Sequence, residues 1–242
     1  MSSLGNAATD NDSPSGPVRL SRSGWEKGSD SDRWDDDRWD ERQWDRSSGK
    51  SDEFELPVTP VLLIIGICVL VMLFSLAVPG LVYTQLALKG SLLSVRPWTI
   101  LTHIFVHADF SHLFWNMLAL FFFGTQLENR IGERRFLMVF LVSGLVGGLA
   151  EVLFSSGFIM GASGAVMGVM GCLALLAPEI RVIIFPIPLP ISITVAIILF
   201  AAIDLFYQMS LGGSDGIAHM AHLAGLGAGL LFGNMLGRRG SY

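Results

Sequence analysis

Residues 59–78, TPVLLIIGICVLVMLFSLAV, contain no charged side chain. About 20 apolar residues are what an α-helix needs to cross the hydrocarbon of a bilayer. In that medium backbone N–H and C=O groups find no water, so a spanning segment must satisfy them internally. One such run therefore fixes the solvent for much of the chain. Further apolar stretches of similar length predict helices near 112–130, 134–154, 162–178, 189–208 and 217–236, giving an all-α membrane protein built as a six-helix transmembrane bundle.

Composition bears on the rest. Charged residues make up 15% of the 242 residues, against about 25% in soluble domains. They are unevenly placed: residues 1–56 hold 14 acidic and 8 basic groups, and residues 57–242 hold 7 and 8. The chain divides into an acidic tail, 1–56, and one membrane domain, 57–242. The tail lacks an apolar run, so disorder on the cytoplasmic side is expected. Trp34, Trp39 and Trp44 recur every five residues in it, with Trp25 upstream. Five residues advance a helix by about 140°, so these rings do not form one stripe. A solvated tail is the simpler reading, with a docking motif for an unknown partner or an anchor on the lipid surface as the alternatives. The net charge of −5 offers no basic surface for nucleic acid. The start MSSLGNAATD has neither a basic nor an apolar signal region, so the first span is expected to act as an uncleaved insertion signal.

Six spans put both termini on one side. With the tail inside, the inner segments carry Arg130, Arg134, Arg135, Arg181, Arg238 and Arg239, and the outer ones only Lys89 and Arg96. The positive-inside rule then makes both termini cytoplasmic. Helices two, four and six run from outside to inside. Ser163 opens helix four, His222 lies about one and a half turns into helix six, and His112 and Asn116 open helix two at i and i+4, on one face. Four polar residues from three segments thus fall in one layer beneath the outer surface. Polar groups within spans are functional candidates by default.

Their chemistry suits hydrolysis. A serine hydroxyl becomes a nucleophile when a neighbouring base takes its proton, and neutral histidine fits that role. The oxyanion formed on attack needs preplaced donors. Free N–H groups at the start of helix four can supply some, and His112 and Asn116 can add side-chain donors. Gly161 and Gly164 allow a tight turn beside the serine. Gly164 with Gly168, and Gly225 with Gly229, form G-x-x-x-G pairs that let helices four and six approach closely.

These residues carry a resemblance. Residues 59–236 resemble the rhomboid family of intramembrane serine proteases, through HLFWN (112–116), LENRIG (127–132), GASG (161–164) and AHLAGLGAG (221–229). Each motif alone is weak; in this order on helices two, four and six the set is specific. The resemblance implies that Ser163 is the nucleophile and His222 its base, a catalytic dyad without an acidic third member. It implies an oxyanion hole of His112, Asn116 and the Ser163 amide. Glu128 and Arg130 match a pair tying the inner end of helix two to its neighbours. No cofactor or metal is implied. Partners would be transmembrane protein substrates in the lipid bilayer, cut near the outer face and admitted beside helix five. Six spans match the form found in prokaryotic cell membranes. The alternative is a non-catalytic rhomboid-like protein that binds membrane helices without cutting them, but such relatives are expected to lose the serine or the histidine.

The chain departs from the family at two points. Met167 stands where a tyrosine supports the histidine, and Trp98-Thr99 stands where Trp-Arg is usual. Other polar residues read as structural. His103 and His107 are expected to hydrogen-bond within the outer loop, His219 is the rival base to His222, and Asp204 is expected at the interface near the outer end of helix five.

Overall fold

The computed structural model describes residues 58–184, 187–212 and 215–239; the tail tryptophans lie outside them. Helix α1 (Pro60–Ala77) begins at a cap: Thr59 Oγ1 accepts from the Leu62 N–H, and Pro60 sits where its missing N–H costs nothing. Two short helices follow, α2 (Pro79–Leu86) and α3 (Thr99–Thr102). Trp98 Nε1 donates to Gln85 O at 2.8 Å, Thr102 Oγ1 donates to Leu86 O at 2.8 Å, and the Arg96 guanidinium donates to the Thr84 carbonyl. The Trp98-Thr99 segment is thereby pinned to the C-terminal turn of α2.

Helix α4 (Phe110–Ala119) is capped by Asp109, whose Oδ1 accepts from His112 N–H at 2.8 Å. It passes through a π turn at Leu120–Gly124 into α5 (Thr125–Ile131). Then come α6 (Glu133–Val152), α7 (Ser163–Leu176), an antiparallel hairpin of β1 (Arg181–Ile184) and β2 (Ile187–Ser192), α8 (Ile193–Leu211) and α9 (His219–Arg239).

The protein is predominantly helical. Among the described residues, α1, α6, α8 and α9 are long and apolar enough to cross a membrane, and Thr99–Phe105 with Phe110–Ile131 would add a fifth span bent by 90°. Helix α7 has 14 residues, about 21 Å of rise, which is short of a 30 Å hydrocarbon layer. Its limits have local causes. Gly161, at φ 122°, turns the chain just before it, and Pro178 follows the C-cap residue Ala177. Helix boundaries differ from those expected, and two of the starts bear on the site. The span placed at 189–208 begins at Ile193, because Ile187–Ser192 is a strand in which Pro188 and Pro190 cannot donate helical hydrogen bonds. The helix placed at 217–236 begins at His219, so His222 lies in its first turn.

Helix α7 occupies the centre. Every residue from Gly164 to Ala174 is buried, with α6, α8 and α9 packed around it. Apolar burial cannot hold helices together in lipid, where tails are as apolar as leucine; close backbone packing does so. The α7–α9 seam has that character. A Cβ at Gly225 would fall on the Gly164 carbonyl, one at Gly229 on the Gly168 carbonyl, and one at Gly164 would stand 3.0 Å from Ala221 O. At the other end of the bundle, Glu128 Oε2 accepts from Val61 N–H at 3.3 Å, capping α1. Arg130 donates to Gln126 Oε1 at 2.7 Å and to Glu179 Oε1 at 3.4 Å. The two residues thus tie α5 to different neighbours and do not pair with each other.

Candidate active site

The first turns of α4, α7 and α9 open on one cavity of about 850 Å³, lined by His112, Asn116, Glu151, Ser163 and His222 together with the 154–160 segment. Ser163 is the first residue of α7, and no side chain caps that helix. The leading amides have no intrahelical acceptor, so they remain available to a ligand. Gly161 shapes the approach. Its positive φ disfavours a side chain, and a Cβ there would stand 2.7 Å from His112 Nε2 and 3.8 Å from Ser163 Oγ. His112 and Ser163 therefore flank one point. The turn is fixed from outside: Gly161 N–H donates to His103 O at 2.9 Å, and Ala162 N–H donates to His107 Nε2 at 3.4 Å. His103 Nδ1 lies 3.1 Å from Thr99 O. Both histidines are hydrogen-bonding groups of the loop, as expected of them.

Ser163 Oγ lies 2.8 Å from His222 Nε2. His219 makes no contact with the serine; its ring nitrogens face Asp204 and Asp215. Asn116 is buried, and its Nδ2 donates to His112 O at 2.8 Å, which leaves the second N–H of that amide for another acceptor. Met167 belongs to the buried core of α7.

Asp204 departs from the expectation of a histidine without an acidic neighbour. It is buried among the helices, and it places an acidic group beside the histidine: His222 Nδ1 lies 3.1 Å from Asp204 Oδ1 and 3.2 Å from Oδ2. Its place on the chain lies well inside α8. That helix continues to Leu211, which leaves Asp204 about two turns, or roughly 10 Å, from its end. A carboxylate only accepts, so Nδ1 carries the proton, and in the neutral ring Nε2 then holds the lone pair. That tautomer can take the serine's proton. Asp204 Oδ1 also lies 2.7 Å from His219 Nδ1, and Asp215 Oδ2 lies 2.9 Å from His219 Nε2. The hydrogen bond from His219 holds the exposed Asp215 carboxyl below its ordinary range. Among the described residues, Asp204, His219 and His222 have their potential ligand atoms within 4.8 Å of one another. The closest of these separations are hydrogen-bond lengths, already spanned by protons.

Glu151 is a second group that sequence reasoning missed. It is buried near the end of α6, and its Oε2 accepts from Ala221 N–H at 3.1 Å in the first turn of α9. A lone acid at the end of an otherwise apolar span was the available signal, since such a group needs a partner.

The family model of the Rhomboid domain matches residues 94–239. The chain is similar to Rhomboid protease GluP of Bacillus subtilis (strain 168), at 34% identity over 53% of this chain and 24% of that protein. It is similar to Rhomboid protein 1, mitochondrial, of Saccharomyces cerevisiae, at 34% identity over 56% of this chain and 40% of the relative. It is also similar to Rhomboid protease GlpG of Yersinia pseudotuberculosis, at 31% identity over 55% and 46%. The chain thus spans from about a quarter to about half of the length of these curated relatives. The matched region contains the serine, the histidines and the asparagine that line the cavity, together with the glycine seam beneath them. This multi-pass membrane chain belongs to the rhomboid family.

Proposed function

We propose that this protein is an intramembrane serine endopeptidase that cuts transmembrane substrates through Ser163 and His222. One observation carries the reading: the 2.8 Å contact between Ser163 Oγ and His222 Nε2, at the wall of a cavity large enough for a peptide segment. The names of GluP and GlpG, both rhomboid proteases, support it.

Ser163 Oγ attacks the carbonyl carbon of the scissile bond while its proton passes to His222 Nε2. The carbonyl π electrons move to oxygen, and the oxyanion is met by the Ser163 N–H, the free N–H of Asn116 and the His112 ring. His222 then gives its proton to the leaving amine as the C–N bond breaks. Water from the cavity, deprotonated by the same nitrogen, releases the acyl group. The backbone of an intact helix shields its peptide bonds, so substrates present a segment that unwinds easily near the outer face. They arrive beside α8, which is less buried than the other long apolar helices α1, α6 and α9. The cytoplasmic termini, the prokaryotic cell membrane, six spans with α7 among them, and a separate tail at 1–56 belong to the same proposal.

The purified protein in detergent should cleave a model transmembrane substrate. Ser163→Ala and His222→Ala should each lower kcat by about 10³-fold or more, and His219→Ala should lose less activity than His222→Ala. Equal cleavage by Ser163→Ala refutes the assignment, and would point to the non-catalytic reading with a contaminating protease.

A further inference from the structure

We infer that Asp204, backed by His219 and Asp215, is a positioning residue for His222; this rests on the protease reading above. Asp204 and Tyr207 stand three residues apart on α8 and so share a face. His219 stacks on the Tyr207 ring, with centroids 5.8 Å apart and planes 7° off parallel. Each His219 nitrogen meets a carboxylate oxygen, Nδ1 at 2.7 Å and Nε2 at 2.9 Å. Carboxylates only accept, so both nitrogens donate and His219 is an imidazolium.

Burial explains why this arrangement is needed. An ionised acid held among apolar helices is costly unless it is paired and hydrogen-bonded. The His219 cation lets Asp204 stay ionised beside His222, and Asp215 at the exposed edge completes the set. Asp204 then accepts from His222 Nδ1–H, which fixes the ring's rotation and tautomer with Nε2 aimed at Ser163 Oγ. The proton that moves in the reaction travels only from Ser163 Oγ to Nε2. Asp204 stays ionised and stabilises the imidazolium that forms. Other titratable groups face His222 from the remaining elements: His112 from α4 and Glu151 from α6. Glu151 is committed to the Ala221 amide, and His112 lies across the cavity, so neither reaches Nδ1.

A merely structural ion pair would tie α8 to α9 and leave the chemistry untouched, and two readouts separate the alternatives. Steady-state cleavage by Asp204→Asn, corrected for the folded fraction, should show kcat lowered by about 10²- to 10⁴-fold with KM within about threefold. His219→Asn should lie between that variant and the native protein. A kcat within about threefold of native for Asp204→Asn overturns the proposal. If Asp204→Asn does not fold, ¹⁵N-histidine NMR of the native protein in micelles decides. His222, assigned by the signal lost in His222→Ala, should carry its proton on Nδ1 and a lone pair on Nε2. The opposite tautomer overturns the proposal. That spectrum does not depend on turnover, so it stands apart from any failure of Ser163→Ala to lose activity.

Discussion

Helices α7 and α8 both deliver a side chain to His222, and they are held in opposite ways. Helix α7 is enclosed from Gly164 to Ala174, and its glycines meet the α9 backbone directly. Helix α8 buries Ile193, Ala196, Ile197 and Asp204, while Ile198, Ile203, Phe206 and Met209 face outward. The nucleophile thus sits on the most enclosed helix and the histidine's acidic neighbour on a far less enclosed one. The difference suggests a division of labour. Ser163 and His222 keep their relation because two backbones touch, whereas Asp204 holds its place through polar contacts with a histidine pair.

That contrast can be broken from its strong side first. Gly229→Leu would drive a side chain into the Gly168 carbonyl, with a cost of about 3 kcal/mol or more. Its thermal unfolding in detergent should shift far below native, and an unchanged transition would mean that the seam does not hold the bundle. A smaller effect is expected at the start of α9. Glu151→Ala removes the acceptor for the Ala221 N–H and should cost about 1–2 kcal/mol, the scale of a lost helix cap. Chemical denaturation measures this, and a cost near zero would show that the first turn of α9 is set by the seam alone. Phe206→Ala on the outer face of α8 should change stability by no more than about 0.5 kcal/mol. A larger loss would show that α8 is packed more firmly than its exposed side chains imply.

How much the sequence reveals differs between the same two helices. Ser163, His222, His112 and Asn116 were conspicuous because hydroxyl, imidazole and amide groups are rare in apolar spans, and helical spacing then aligned them in depth. The glycines beside them were readable for the same reason, since small residues at i and i+4 imply close approach. The contact of Asp204 with His222 was missed because its place on the helix was inferred from a span placed at 189–208. Two prolines turned the start of that segment into a strand and moved the helix along the chain, so Asp204 stands further from its end than expected. A period of 3.6 residues cannot reveal such a shift, because α8 is apolar on nearly all sides. The role of Glu151 depends on a contact across 70 residues, which local pattern does not encode.

The most direct test of the serine and histidine reading is the intact mass of the protein after exposure to a fluorophosphonate. The native chain should gain one adduct, mapped by peptide sequencing to Ser163, and His222→Ala should gain little or none in the same time. Labelling of His222→Ala at the native rate, or an adduct on another residue, would contradict the account.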